Sequence, residues 1–439
     1  MNDDMPEPGP AAAPRRPSLP NFVSFAMAVA LVWLGGQFIL QGVSDNLLDD
    51  KPELAVLTQG GSSDAVAQLA RYRLQTRDPS GAARLAKKAL LLSPLNARAL
   101  TTYGLAMDAQ RQTAVAGRVM TLAGQLGWRD LITQVWLFRR DLLAADFKDA
   151  FDHADALMRR VPSPPAPVLR ILAVAARNPN AIGPLADRLA ANPSWRAPFF
   201  VYLGAYEKPP ATDVTGALLA RLETGPSRPT DDEIGFYLAA LAVQGKYQEA
   251  EAAWRQLTPG APGGYVHNGD FERPARPTPF DWWLRSGVGW TASIDNSPDP
   301  THGHALRIDY DGVSAPIPLR QLVVLPPGGY RLSGRMLDAG DGGSAGFAWR
   351  VACAGADAGP LAKVPSPPGA PGQWRTFSAD FIVPASGCPA QLLDLAADRG
   401  DVQKDITLWY DDLAIAPQAG VAPTTQAPAP SNLDGLGKP

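Results

Sequence analysis

Small and apolar residues recur at helical spacing from Ser63 to Pro162, and the pattern repeats itself. Ala82, Ala116 and Ala150 stand 34 residues apart, as do Ala86, Met120 and Ala154, and Ala89, Ala123 and Leu157. Half a unit earlier the same step joins Leu69, Tyr103 and Leu137, and Ala70, Gly104 and Phe138. Pro94 and Pro162 lie two steps apart. Fixed small residues predict pairs of antiparallel helices that approach closely where one helix offers Ala or Gly, with proline stopping the second helix. The Asp78-Pro79-Ser80-Gly81 string is expected to turn the chain within the first pair, and Phe147 to pack beside a tight turn at Ala144-Ala145-Asp146. Between 163 and 230 the helical pattern survives at 184–191 and 214–222, but prolines interrupt it and degenerate units are expected. A regular unit returns from Asp231 to Pro262, with Ile234, Tyr237, Leu238 and Leu241 on one helix and Tyr247, Ala250, Trp254 and Leu257 on the next. Ala250 follows Ala150 by 100 residues, two short of three repeats, so a small deletion is expected in between.

After the Pro259–Gly264 string the period changes to two, and short alternating runs are separated by Gly, Pro and Asp turns. Strands are expected at 305–310, 318–325, 329–337, 347–352, 375–383, 391–396 and 407–415. That count over this length predicts an antiparallel sandwich.

A period of 34 with small residues at these positions resembles the tetratricopeptide repeat over Ser63–Pro162 and Asp231–Pro262. The resemblance implies a right-handed helical-repeat solenoid whose concave groove holds protein partners. Arg139-Arg140 and Arg159-Arg160 line such a groove for an acidic partner or are solvated helix faces, and His153 is expected at the surface or in the groove. Four strings in the last third are similar to carbohydrate-binding modules of the family 4/9 (CenC-like) type, which are jelly rolls. They are Asn268-Gly269-Asp270-Phe271-Glu272, the run Leu325–Gly334, Trp374-Arg375-Thr376-Phe377, and the run Trp409–Ile415. The resemblance implies that the opening and closing segments lie side by side. It further implies that their acids, here Asp270, Glu272 and Asp412, either hold a structural Ca²⁺ or cap turns. It also implies glycan stacking on aromatic faces, for which Trp282, Trp283, Trp290 and Trp349 are the candidates; each is alternatively core or loop packing. Trp374 and Trp409 are expected in the core.

Composition changes the picture mainly at the N-terminus. Residues 1–20 and 418–439 are rich in Pro and Ala and are expected to be disordered tails. Phe22 to Leu40 carries no charge over 19 residues, about 28 Å as a helix and close to the thickness of bilayer hydrocarbon. Arg15 and Arg16 precede it and Asp45, Asp49 and Asp50 follow, so residues 21–43 are expected to form a single transmembrane helix with the N-terminus inside. The alternative is a cleaved signal peptide ending near Gly42-Val43-Ser44. A linker at 44–62, a helical-repeat domain at 63–262 and a sandwich at 263–417 complete the expected multidomain order. The bulk of the chain would then face the periplasm from a bacterial inner membrane. Cys353 and Cys388 are the two cysteines of the chain and are expected to form a disulfide there; two buried free thiols are the alternative.

A net charge of −3 without basic tracts gives no sign of nucleic-acid binding. No G-x-S-x-G, H-E-x-x-H, Walker A, G-x-G-x-x-G or C-x-x-C string is present. Paired acids exist at Asp231-Asp232 and Asp411-Asp412, but spacing in sequence cannot set them across a cleft. His302 and His304, with Asp295 and Asp299 upstream, could build a zinc site or simply a turn. The expected function is a non-catalytic scaffold for envelope polysaccharide assembly or export, with protein partners on the repeats and glycan on the sandwich. The alternatives are an accessory to a glycan-active enzyme, and an assembly factor whose sandwich no longer binds sugar.

Overall fold

The computed structural model describes residues 62–128, 130–159, 164–258, 264–299, 301, 303–314, 319–339, 346–355, 359–368, 370–397 and 405–419. The expected anchor Phe22–Leu40, the tail 1–20, most of the tail 418–439, Arg160, Pro162 and His302 lie outside them. No helix among the described residues is long and apolar enough to cross a membrane. The chain divides into two compact units, Met1–Ala144 and Ala145–Pro439.

The first unit holds α1 (Ser63–Gln75), α2 (Pro79–Leu92), α3 (Ala97–Ala109), α4 (Thr113–Leu126) and α5 (Leu131–Leu143). Ala82, Ala86, Ala89 and Ala116 are fully buried, as the period requires. A Cβ added at Gly104 of α3 would come within 2.5 Å of Met120 Sδ on α4, and one at Gly124 within 2.7 Å of Leu137 Cδ1 on α5. The helices therefore touch where the side chains are smallest, and large residues fill the flanks.

Helix starts follow the same step. Ser62, Asn96 and Asp130 accept hydrogen bonds from the backbone N–H groups of Ala65, Ala99 and Thr133. Each satisfies a donor that the helix cannot. Asp78 caps α2 in the same way through Gly81 N, and Pro79 occupies the first helical position. The Asp78–Gly81 string is thus a helix start rather than a turn. The turn sits just before it, where Arg77 takes φ 65°. Arg111 and Ala145 repeat that left-handed conformation 34 and 68 residues later, which places the tight turn at Ala145 as expected.

The second unit begins with α6 (Phe147–Met158), in which Phe147 is buried and stacks on Phe151. It continues with α7 (Ala166–Ala175), α8 (Pro179–Ala190), α9 (Arg196–Val201), a π-helical turn at Tyr202–Tyr206, α10 (Thr212–Glu223), α11 (Asp231–Val243) and α12 (Tyr247–Leu257). The starts of α6, α8, α10 and α12, at caps 146, 178, 211 and 246, are spaced by 32, 33 and 35 residues. The missing two residues are thus spread over three units. Two buried polar clusters tie the irregular helices. Asp155 of α6 accepts from Trp195 Nε1 at 2.9 Å and from Arg159 Nε at 2.7 Å. Arg196 of α9 grips Glu233 of α11 through Nε–Oε1 at 2.6 Å and Nη2–Oε2 at 2.8 Å, and both side chains are buried. Arg196 also donates to Ser227 Oγ and Arg228 O, while Glu233 Oε2 accepts from Thr230 N to complete a capping box.

The remainder of this unit is a two-sheet antiparallel sandwich. Its strands are β1 (Trp290–Asn296), β2 (His304–Tyr310), β3 (Leu319–Val323), β4 (Gly328–Asp338), β5 (Ala348–Cys353), β6 (Ala362–Pro365), β7 (Arg375–Val383), β8 (Gln391–Ala396) and β9 (Ile406–Pro417). One sheet runs β1-β2-β9-β4-β7 and the other β3-β8-β5-β6. The last strand lies between the second and fourth, so the two ends of the domain interleave as in a jelly roll. Two strands, β1 and β6, were not among those expected. The Ser-, Asp- and Asn-containing β1 reads as loop, and β6 is four residues ending in proline. The disulfide Cys353–Cys388 is formed as expected and links β5 to the loop before β8. Helix and sandwich meet within this unit. Trp254 of α12 lies 4.8 Å from the His267 ring and stacks on Phe280 at 5.4 Å. A Cβ on Gly235 of α11 would come within 2.2 Å of Pro277 O, so the backbone there is pressed on the sandwich entry.

Three stability effects follow. Ala116→Leu should overpack α3 against α4 and cost about 1–3 kcal/mol. Glu233→Gln should strip the buried Arg196 of its counter-charge and cost about 3–5 kcal/mol. Removing the disulfide, whose cysteines are 35 residues apart, should cost about 3.5–4 kcal/mol by the chain-entropy relation. Urea unfolding of each variant reads these values, and an unchanged midpoint for Ala116→Leu would refute the register of the repeat.

Candidate functional site

The opening string of the sandwich is a tight turn built by its own residues. Asn268 and Phe271 take φ 48° and 50°, and the Asn268 side chain closes the turn by bonding Arg273 N and O. Gly269 O accepts from Leu413 N at 2.8 Å, and a Cβ on Gly269 would come within 2.0 Å of Leu413 O. The opening and closing segments therefore lie side by side, and glycine is required for that approach. Phe271 is fully buried against Trp282, whose Nε1 donates to Asn268 O at 2.9 Å.

The three acids expected to share calcium do not gather. Among the described residues no group of three or more His, Cys, Asp or Glu side chains converges as a metal set. Glu272 accepts from His304 N at 3.0 Å and faces His304 Nδ1 at 3.1 Å. Those bonds, the backbone one first, hold its carboxyl below the usual range. Asp412 pairs with Arg335 Nη2 at 2.5 Å, and Asp270 is exposed in the turn. A calcium shell of six to eight oxygens does not fit carboxylates already committed to a histidine and an arginine. The zinc alternative rests on His302, outside the described residues; His304 is the partner of Glu272, and Asp299 caps its own turn through Thr301.

Three of the four glycan-stacking tryptophans are core residues. Trp282, Trp290 and Trp349 are at most 2 % exposed and meet Phe271, Phe347 and Tyr410 inside the sandwich. Their rings cannot meet a sugar without unfolding the domain. Trp283 is 51 % exposed, and the Arg285 guanidinium lies 3.5 Å from its ring centroid. Trp409 is buried as expected, 7 % exposed, with Trp374 packed partly buried against it, but in a second and smaller cluster. It sits on the outer face of the five-stranded sheet in a small cluster with Ala305, Leu337 and Trp374. Arg307 lies over Trp409 at 5.7 Å and Arg335 over Trp374 at 5.5 Å.

Several ion pairs lie on this outer face. Between Ser333 and Arg335 the register of β4 against β9 shifts, and Asp412 takes φ 52°. The irregularity brings both Asp411 and Asp412 onto Arg335, the former at 3.1 Å. The adjacent acids are thus a counter-ion pair for one arginine. Further along, Arg331 and Asp380 form a two-bond pair at 2.6 and 2.8 Å, and Thr407 Oγ1 donates to Asp309 beside Arg307. Planar guanidinium–carboxylate pairs on this face offer the donors and acceptors that sugar hydroxyls use. Alternation along β2, β4 and β9 encodes this face, but it became readable only once the strands were in register. Asp231 and Asp232 lie apart from it, in the first turn of α11.

No protein-family model matches the chain, and no curated protein does. Solved structures are similar at low identity. A CBM4 carbohydrate-binding structure is 15 % identical with TM-score 0.28, covering 35 % of this chain and 99 % of its own. The CBM22-1 xylan-binding domain from Paenibacillus barcinonensis is 12 % identical with TM-score 0.25, covering 35 % and 92 %. PilF of Pseudomonas aeruginosa is 19 % identical with TM-score 0.24, covering 53 % and 91 %.

The outer face makes one electrostatic prediction. Hydrogen bonds from Arg331 first, and from Gln418, hold the Asp380 carboxyl down at about 2. A depressed acid stabilises the fold above its unfolded value, and that contribution is lost as pH falls through about 2. Both side chains are about half exposed, so solvent screening keeps the contribution small. A carboxyl NMR titration should place Asp380 near 2, and Arg331→Gln should return it toward its ordinary value of 3.8.

Proposed function

We propose that this chain is a non-catalytic, membrane-anchored scaffold of the bacterial envelope. Its helical repeats bind partner proteins and its sandwich binds glycan. The supporting observation is the seam in the second unit, where Trp254 of α12 packs between His267 and Phe280 of the sandwich entry. A partner held on these last helices and a glycan held on the sandwich would be borne by one body, which is what a scaffold requires. Envelope or exopolysaccharide assembly and export is the process that would need a protein partner and a polysaccharide held together. The outer face with Arg307, Arg331 and Arg335 is the glycan surface in this proposal, with the exposed Trp283 a second contact. The anchor is Phe22–Leu40, with the N-terminus cytoplasmic and the bulk of the chain periplasmic. The proposal requires no cofactor.

A second reading has its own support. Trp282, Trp290 and Trp349 are locked in the core, and Arg285 covers the exposed Trp283 ring. On that basis the sandwich is an assembly domain that no longer binds sugar. A glycan array probed with the full chain in detergent separates the two. Binding that falls at least tenfold in Arg335→Ala or Trp283→Ala supports the first, and an array without signal supports the second. For topology, a reporter active only outside the cytoplasm should be active when fused after Pro439, and the chain should resist carbonate extraction. A soluble mature form starting near Asp45 would show that the segment is a cleaved signal peptide.

A further inference from the structure

One edge of the first unit carries a run of exposed apolar residues at successive turns, whereas Tyr72 and Leu143, near the ends of α1 and α5, are exposed singly elsewhere. The starts of α1, α3 and α5 and the ends of α2 and α4 lie together on that edge. Asn96 Nδ2 donates to Ser63 Oγ at 2.9 Å, Ser63 Oγ donates to Ala89 O at 2.9 Å, and Thr101 Oγ1 meets Thr133 Oγ1 at 2.7 Å. Six large apolar side chains stand out from this edge: Leu91, Leu92, Leu95, Leu126, Trp128 and Leu131, from 43 % exposed at Leu126 to 78 % at Leu91. They flank successive helix-to-helix turns, so they form a row rather than scattered exceptions. The exposed Lys87, Lys88 and Arg98 stand close to the same turns. Asp64 and Asp130, the acids at this edge, are engaged at the caps by Asn96 and by Thr101 and Thr133.

Charge separates this unit from the rest of the chain. Residues 62–144 carry 12 Lys and Arg against 5 Asp and no Glu, whereas the whole chain carries 40 Lys and Arg against 43 Asp and Glu. Of the unit's basic residues, Lys87, Lys88 and Arg98 stand nearest the Leu and Trp row, and that combination matches an anionic bilayer surface. Leucine enters the acyl boundary, tryptophan settles at headgroup level, and Lys and Arg meet lipid phosphate. The chain enters the unit on this same edge, at Ser62, 22 residues after Leu40. Even fully extended that tether spans only about 70 Å. If Phe22–Leu40 is the anchor, the apolar edge is the one the tether leads into.

We infer that the α1/α3/α5 edge of the first unit is a lipid-contact surface that rests on anionic phospholipid headgroups. This rests on the anchor proposed above. It gives that anchor a second, peripheral attachment that would fix which side of the repeats faces the membrane.

The two native cysteines are disulfide-bonded, so one introduced cysteine can be labelled alone. The full chain is placed in nanodiscs of phosphatidylcholine with or without phosphatidylglycerol. An environment-sensitive dye is attached at Leu95→Cys, at Leu126→Cys, or at Gln112→Cys between α3 and α4 on the opposite edge. Brominated lipid should quench the first two labels at least twofold in the anionic disc, less in the neutral disc, and leave the third unaffected. Incorporation with all three labels unquenched would overturn the edge contact while leaving the anchor intact. A chain that neither enters discs nor shows quenching with added anionic vesicles would remove anchor and edge together. Shielding of the edge labels from aqueous iodide without lipid quenching would assign the edge to protein contact and also overturn the inference.

Discussion

The helical part depends on how closely two helices can approach. A pair of helices stays together only if one side is small enough for the other to lie against its backbone, and in the first unit that side is Ala82, Ala116, Gly104 and Gly124. Because the close contacts recur every 34 residues, everything tied to helix start and stop must recur with them. The caps at Ser62, Asn96 and Asp130 do so, as do the left-handed turns at Arg77, Arg111 and Ala145. Where the small residues lose their period, between α6 and α12, other forces hold the helices. There the array uses buried charge: Asp155 beneath Trp195, and the Arg196–Glu233 pair with its two backbone contacts. A buried pair contributes little net stability but strongly penalises any arrangement that separates its partners, which suits a stretch that apolar spacing no longer specifies.

The sandwich solves a different problem. A domain of this size needs a large aromatic core, and Trp282, Trp290, Trp349, Phe347 and Tyr410 supply it. That demand withdraws these tryptophans from the surface, so the proposed glycan contact falls to the polar side of the five-stranded sheet. On that side Arg307, Arg331 and Arg335 each sit beside an aspartate. Such a face is close to neutral and dense in oriented donors and acceptors, better matched to hydroxyl groups than to an ion.

Much of this was legible in the residues. The period located the first five helices, since an Ala or Gly at a fixed step has one economical explanation, and the strands at 375–383 and 391–396 were bounded correctly by simple alternation. The cysteine pairing followed from there being two. What stayed hidden were features decided by long-range register. Asp411 and Asp412 look like a metal or catalytic pair until the β4–β9 irregularity sets both on Arg335. Glu272 looks like a calcium ligand until His304, 32 residues away, turns out to be its partner. Asp78-Pro79-Ser80-Gly81 looks like a turn because the same residue types that make turns also begin helices. Trp409 is buried as its alternation along the strand suggests, but which of two clusters it joins, the main core or the smaller one with Leu337 and Trp374 under Arg307, is decided by register.

In the proposed function one chain holds a protein and a polysaccharide together. Affinity capture of the tagged full chain from its native membrane, after mild cross-linking, tests this most directly, with the eluate analysed by both mass spectrometry and sugar composition. The account predicts a defined partner protein together with an envelope polysaccharide, and loss of the sugar but not the protein in Arg335→Ala. Recovery of neither partner nor polysaccharide above an untagged control would contradict it.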